Sequence, residues 1–505
     1  MKTILEYIEQ SNKNYPDKIA FINGDNQITF AELRMRSVVI GMKISKLSGN
    51  KKRMPICIVA ERDIDAIVCM LGCLYSGNYY VLVDSSLPKS RIKSMIKSVD
   101  FLGVISDDAL LDDHSTLVFS ESFAGISTDC KYHDSVLDGY INEIIQQIYS
   151  FDPLYGVFTS GSTGVPKLVV KSHLAMMNFI DSFVEIFDFK AEDILGNQLP
   201  FYFDASTKDI YCCLKCGITT HIIPKEYFSF PQSLIQYLIE KKITKIIWVP
   251  SALSLVANAD SINAVGIPTY LKKVFFVGEQ MPVKQLNYWK KLLPKTDFIN
   301  LYGSTEVAGN FLYFKYDTCL NDDQRIPTGK PFPNAKVFLI NKEGKEITNT
   351  FEEGEICVVS DTLSMGYYGD LKNTEAVFLQ NPLVAYKEIM YKTGDLAIYD
   401  SHNNIVWTSR KDFQIKHMGY RIELSEIEVS IGSITEIEEC CCVYDRKEKK
   451  IILFYQAKED LKKIIGKHVR ERLPKYMYPS KYIKLDKMPH NSNGKVDRKA
   501  LFQGF

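Results

Sequence analysis

Over the first two thirds of the chain, short apolar runs alternate with longer stretches in which apolar residues return every three or four positions. The runs PICIVA (55–60), YYVLV (79–83), GVIS (103–106), ITKIIWVP (243–250) and LKKVFFVG (271–278) are apolar at their centres. Such runs fit strands covered on both faces, and the stretches between them fit amphipathic helices. The pattern therefore predicts parallel or mixed sheets flanked by helices. From about Asp317 to Tyr399 it changes to short alternating strands, such as AKVFLI, GEICVVS and LAIYD, broken by Gly, Asn and Asp turns, which predicts a smaller all-β unit. Beyond WTSRKDFQ the chain returns to helix and strand patterns: IELSEIEVSIGSI, CCCVYD, IILFYQ and DLKKIIGKHVRERL. The polar segment Ser409 to Asp412 is the expected boundary between an N-terminal domain, 1–411, and a small C-terminal α+β domain, 412–505.

Composition fits this multi-domain α/β and α+β reading. A chain of 505 residues, 46% hydrophobic and 24% charged, is long enough to bury several cores. Lys plus Arg equals Asp plus Glu at 61 each, which gives no electrostatic reason to expect nucleic acid as a partner. The opening MKTILEYIEQ sets Glu6 and Glu9 where a signal core would be apolar, and no window has the roughly eighteen apolar residues of a membrane span. A cytoplasmic location is expected. The twelve cysteines show no disulfide framework and read as free thiols.

Two stretches carry candidate chemistry. In VFTSGSTGVPKLVVKSH (157–173) a strand runs into a Ser/Thr/Gly loop, which frees N–H groups and hydroxyls to surround phosphate oxygens, and Lys167 adds a positive charge. It is not GxxxxGK[ST], because a strand-like segment follows the lysine; a ligand-free turn is the alternative. In FYFDASTKDIYCC (201–213), helical periodicity puts Ile210, Tyr211, Cys213 and Leu214 on an apolar face and Asp204, Lys208 and Lys215 on the opposite stripe. Periodicity alone thus predicts Asp204 as a helix cap, with Lys208 as its exposed partner four residues on. A metal site at Cys212, Cys213 and Cys216 wants a second ligand pair, and none stands at a recognisable spacing. The cysteines of CCCVYD read as small apolar strand residues. Eight histidines show no HxxxH or HExxH pairing, and His173 reads as packing or capping.

The loop resembles the T-S-G-S-T-G-x-P-K signature of the adenylate-forming superfamily, departing at Leu168, where glycine is usual. Within that superfamily the chain is most similar to the amino-acid-activating domains of nonribosomal peptide synthetases and to D-alanine:carrier protein ligases. Further matches follow in order along almost the whole chain: ITFAEL (28–33), MLGCLYSGNYYVLVD (70–84), NLYGSTE (300–306, with Ser304 for the usual proline), GEICVVSDTLSMGYY (354–368), YKTGDL (391–396), SRKDFQIKHMGYRIELSEIE (409–428), LPKYMYP (473–479) and NSNGKVDRKAL (491–501). The resemblance implies a large N-terminal domain with two α/β subdomains and a β-rich subdomain, and a small mobile C-terminal domain.

It also implies roles. Thr159, Ser160, Gly161, Ser162, Thr163, Gly164 and Lys167 would cradle the phosphates of ATP, and Tyr302, next to Gly303, would stack on adenine while Asn300 faces its edge. Thr305 would touch the α-phosphate, Glu306 would hold Mg²⁺, and Asp395 with Arg410 would meet the ribose. Lys495 would be catalytic, contacting both the substrate carboxylate and the α-phosphate. Asp412 would be the hinge, and Gly419 would line the channel for a phosphopantetheine arm. Asp204 would pair with a substrate ammonium, with Ala205, Lys208, Trp248, Phe275, Val277, Leu301, Gly309 and Asn310 around the rest of the substrate. A lysine in such a pocket needs a partner, either Asp204 or a substrate carboxylate, so a small or acidic amino acid is expected, D-alanine among the candidates.

The implied activity is ATP-dependent formation of an aminoacyl-AMP with release of pyrophosphate, followed by transfer to the phosphopantetheine thiol of a separate carrier protein. The alternatives are an acyl- or aryl-CoA ligase of the same superfamily, and a non-catalytic nucleotide-binding scaffold.

Overall fold

The computed structural model describes residues 2–106, 117–119, 134–161, 166–322, 324–411, 413–446, 448–490 and 496–503. They fall into two compact units, one of Met1–Asp84, Phe101–Val157 and Leu168–Lys411, the other of Ser85–Asp100, Phe158–Lys167 and Asp412–Phe505.

In the first unit the apolar runs are strands, as their burial demands. Pro55–Ala60 pairs in parallel with Tyr79–Asp84 and with Gly103–Ser106, and every residue of the three is buried, so neither face tolerates a polar alternation. They belong to a seven-stranded sheet among the described residues, which also holds Pro153–Thr159 and Lys167–Ser172. A nine-stranded sheet has Ile194–Asn197, Lys245–Trp248, Lys273–Val277 and Asp297–Tyr302 as parallel neighbours, then Leu312–Tyr316 antiparallel. Its register sets Val277 beside Leu301, and Phe276 beside both Asn300 and Trp248.

The helix His173–Ile186 starts at Ser172, whose hydroxyl accepts from the Ala175 amide. It sends Phe179 and Phe183 into a nest of rings that includes Phe187, Phe189 and Phe275. From Ala335 to Arg410 the chain forms a six-stranded antiparallel sheet, where the sequence pattern predicts a β-rich region.

The helix expected after Asp204 is Thr207–Cys216, preceded by a 3-10 turn at Asp204–Ser206. Here the periodicity argument fails. Thr207 through Leu214 are all buried, because other helices and a strand pack around this one, including Leu5–Asn14, His173–Ile186 and Thr219–Ile222. Lys208 is 1% exposed, and Asp204 caps nothing with its side chain. Lys215 is the cation of this helix that reaches the surface, where it pairs with Asp181 at 2.8 Å. Cys212 and Cys213 are buried as packing residues.

In the second unit, Glu439–Asp445 and Lys450–Gln456 pair antiparallel, and Lys481–Leu485 joins the latter in parallel. Helices Leu424–Gly432 and Lys462–Arg472 bury Ile427, Ile431, Ile465 and Val469 in a core with Cys442, Leu453 and Tyr455. Among the described residues no helix is long and apolar enough to cross a membrane.

Candidate active site

Asp204 sits half-buried at the start of the turn Asp204–Ser206, and two groups from distant strands meet it. Lys171 donates from Nζ to its Oδ1 at 2.6 Å, and the Tyr155 hydroxyl donates to the same oxygen at 2.7 Å. Among the described residues, no protein donor reaches Oδ2. Lys171 is fully buried; it also donates to the Val307 carbonyl at 3.2 Å and lies over the Tyr155 ring. Burial pulls its pKa down, and the Asp204 carboxylate opposes that pull. The pair is therefore a desolvated ion pair supported by a tyrosine and a backbone carbonyl, rather than the exposed helix pair expected from periodicity.

Lys208, one turn into the helix, has a different environment. Its ammonium lies 5.8 Å from the centre of the Phe179 ring and makes no hydrogen bond among the described residues. Burial lowers its pKa to about 8, with Asp204 and Asp209 partly offsetting this. Asp209 accepts from Asn197 through Oδ2 at 2.6 Å, and Asn197 in turn accepts from Arg62, while Asp209 Oδ1 is buried with no partner among the described residues. Burial pushes the Asp209 carboxyl up to about 7.

Several expected pocket residues gather on this side. Val277, Leu301 and Phe275 share one face of the nine-stranded sheet, the face on which Phe183 packs against Phe275. Gly309, at φ +70°, brings its backbone so close to Phe179 that an added Cβ would lie 2.2 Å from the ring. The neighbouring Asn310 is buried, and its Oδ1 lacks a partner among the described residues. Ala205 is half-buried beside Asp204. Trp248 is not brought to this group: its register with Phe276 turns it to the opposite face, where its indole donates to the Gly196 carbonyl at 2.8 Å and packs on Phe228.

A second carboxylate, this one buried, lies in the same unit. Asp395 stands directly across the strand pair from Arg410, which donates to Oδ1 at 2.9 Å; the Trp407 indole donates to the same oxygen at 3.0 Å, and the Tyr302 hydroxyl donates to Oδ2. Burial beside Asp395 drives the Tyr302 phenol far up in pKa, so it acts only as a neutral donor. Asn300 donates to the Pro327 carbonyl at 2.7 Å. Glu306, 1% exposed, accepts from the Tyr367 hydroxyl at 2.8 Å. Among the described residues no three His, Cys, Asp or Glu side chains converge, so Glu306 offers a single hard oxygen donor. Gly303 and Thr305 lie in the half-buried turn between Tyr302 and Glu306.

Of the phosphate-loop residues, Ser162, Thr163 and Gly164 lie outside the described residues, as do Asp412 and Lys495. In the second unit, Thr159 donates to the Lys167 carbonyl, and Ser160 donates to the Arg421 carbonyl at 2.8 Å while accepting from the Glu423 amide. Gly161 is buried. Gly419, at φ +83°, follows Met418 at φ +52° in the turn joining Gln414–His417 to Tyr420–Glu423, a pair of left-handed residues suited to a tight hairpin. His490 and Val496 form an antiparallel bridge on either side of 491–495. Arg498 grips Glu428 with Nη2, at 2.6 and 2.8 Å from its two carboxylate oxygens. His173 is buried, with Nδ1 accepting from the Ile4 amide and its pKa pushed down to about 4, which makes it a packing residue.

Lys171, Tyr155, Tyr367 and Trp407 are the partners that sequence reasoning missed. Lys171 did carry a usable sign: a lysine inside LVVKS, flanked by positions that are all buried, has to find an anion.

The chain matches the family model of the AMP-binding enzymes over residues 8–368 and that of the AMP-binding enzyme C-terminal domain over 426–495. It is 30% identical over 512 residues to a D-alanine–D-alanyl carrier protein ligase of Bacillus mycoides, covering 99% of this chain and 98% of that one. Its fold is similar to that of a Vibrio cholerae adenylation domain in complex with glycyl-adenosine-5'-phosphate, with TM-score 0.82 at 18% identity over 99% of this chain and 97% of the other. The o-succinylbenzoate CoA synthetase of Bacillus subtilis gives the same TM-score of 0.82 at 18% identity, over 100% and 98%.

Proposed function

This chain belongs to the AMP-binding enzymes, and from that premise we propose that it activates an amino acid with ATP as the aminoacyl-AMP and passes the aminoacyl group to the phosphopantetheine thiol of a carrier protein. One observation carries the amino-acid reading. Asp204 is held through Oδ1 by Lys171 and Tyr155, while among the described residues Oδ2 has no protein partner, so an anionic acceptor is fixed in place with one oxygen left for a ligand's ammonium. The sequence relatives support the carrier acceptor, since the Bacillus mycoides ligase covers this chain end to end.

In this reading Tyr302 and Asn300 meet adenine, and Asp395, oriented by Arg410 and Trp407, meets the ribose hydroxyls. Thr159, Ser160, Ser162, Thr163 and Lys167 would hold phosphate oxygens. Glu306 would hold Mg²⁺ by one carboxylate oxygen, with the phosphates of ATP completing the oxygen shell this ion favours and the ion neutralising their charge. Lys495 would stabilise charge at the α-phosphate during attack by the substrate carboxylate, which forms the acyl–phosphate bond and expels pyrophosphate. Asp412 would be the hinge between domains 1–411 and 412–505, and Gly419 would line the thiol channel.

The equal likeness in fold to a CoA synthetase makes free coenzyme A the acceptor to be excluded. Incubation with ATP, an amino acid and either a phosphopantetheinylated carrier protein or coenzyme A, read by mass spectrometry, separates the two. Thioester on the carrier is the expected product; thioester on coenzyme A alone would overturn the carrier assignment.

A further inference from the structure

Two lysines and one aspartate form the charged floor of the site, and their bonding is unequal. Lys171 is bonded to Asp204 at 2.6 Å and is itself fully buried. Lys208 sits on the same turn of chain as Asp204, is 1% exposed, and has no hydrogen-bond partner among the described residues. The nearby Asp209 gives it no hydrogen bond: its Oδ2 accepts from Asn197 at 2.6 Å, and its buried Oδ1 has no partner among the described residues. Among the described residues the Lys208 ammonium lies over the Phe179 ring, 5.8 Å from its centre, and feels the Asp204 and Asp209 charges without bonding to either. Phe179 in turn packs against Gly309, next to Asn310 with its unpartnered Oδ1. A buried ammonium with no hydrogen bond is costly unless something anionic completes it.

We propose that the acid this enzyme activates carries a second carboxylate besides the one that reacts, and that Lys208 binds it because Lys171 has already taken up the charge of Asp204. The proposal rests on the reading of Asp204 as part of the substrate site. With Lys171 paired to Asp204, a substrate bringing only an ammonium would add a cation to a floor that already holds one unpaired lysine. A dicarboxylic amino acid offers its ammonium to Asp204 Oδ2 and its side-chain carboxylate to Lys208, so each charge meets its opposite. The substrate class is the acidic amino acids, aspartate- or glutamate-like in chain length.

ATP–pyrophosphate exchange on the full chain tests this with aspartate against asparagine, glutamate against glutamine, alanine, and the amine-free diacids succinate and glutarate, using both enantiomers of each amino acid. One acid is expected to exceed its own amide by at least about 30-fold in kcat/KM, the scale of one charge-assisted hydrogen bond, and Lys208→Met to bring that ratio to within about threefold of one. The wild-type panel is decisive whether or not the variant folds. An amide or alanine equal to or better than its acid would overturn the proposal while leaving amino-acid activation standing, and so would an acid preference that survives Lys208→Met. Exchange with succinate or glutarate and with no amino acid would support Lys208 as the carboxylate site and overturn the amino-acid reading instead.

Discussion

Asp204, half-buried, and Asp395, buried, are aspartates of the first unit that are satisfied differently. Asp395 takes Arg410 and Trp407 on one oxygen and Tyr302 on the other, so both its oxygens are in use. Asp204 takes Lys171 and Tyr155 on one oxygen and, among the described residues, nothing on the other. A carboxylate bonded on both sides is a fixed fitting that a ligand approaches from its remaining lone pairs. A carboxylate bonded on one side is held in orientation and still needs a donor. The partners differ too: Arg410 is 15 residues from Asp395 and directly across one strand pair, whereas Lys171 and Tyr155 come from 33 and 49 residues away.

The largest effect expected from breaking this comparison is in stability. Lys171→Met leaves the Asp204 charge and the Val307 carbonyl without their buried partner, and should cost about 3 to 5 kcal/mol in urea unfolding. A loss below about 1 kcal/mol would mean that the pair is not desolvated as described. Asp209, a third carboxyl to which no lysine is bonded among the described residues, sharpens the contrast through pH. Its folded pKa, about 7, lies above the ordinary 3.8, so the folded chain keeps a proton that the unfolded chain has lost. Its contribution to stability is full below about pH 4 and disappears as pH rises towards 7, a change of up to about 4 kcal/mol. Asp209→Asn should remove that falling limb from the stability profile, and unchanged pH dependence would contradict the assignment.

Smaller effects separate the two aspartates further. Tyr155→Phe removes one neutral donor to a carboxylate and should cost about 1.5 to 3 kcal/mol, measured by thermal and urea unfolding. In exchange kinetics, Asp395→Asn should raise KM for ATP by about tenfold or more, and Asp204→Asn should leave it within about threefold, since one hydrogen bond of this kind corresponds to at least that factor. Equal effects of the two substitutions on the ATP KM would erase the distinction between the sites.

What the sequence made legible follows from the same contrast. The fully buried strands, Pro55–Ala60 and Tyr79–Asp84 among them, announce themselves by composition, because a strand covered on both faces tolerates almost no polar residue. The β-rich region announced itself by alternation and turns. The Thr207–Cys216 helix did not, because a helical period of 3.6 assigns an exposed stripe to any helix with polar residues, and this one has packing neighbours all round. The Asp204–Lys208 spacing therefore read as a surface pair, when the true partner was Lys171 on a strand. That pairing is set by tertiary structure, and local spacing carries no trace of it.

The central claim is that Asp204 Oδ2 receives a substrate ammonium. The most direct measurement is ATP–pyrophosphate exchange with the best amino acid of a panel and with the same acid lacking its amino group, in the wild type and in Asp204→Asn. The account predicts a preference for the amino acid of at least about 30-fold in the wild type that collapses towards one in the variant. An undiminished preference in Asp204→Asn, or equal exchange with both acids in the wild type, would contradict it.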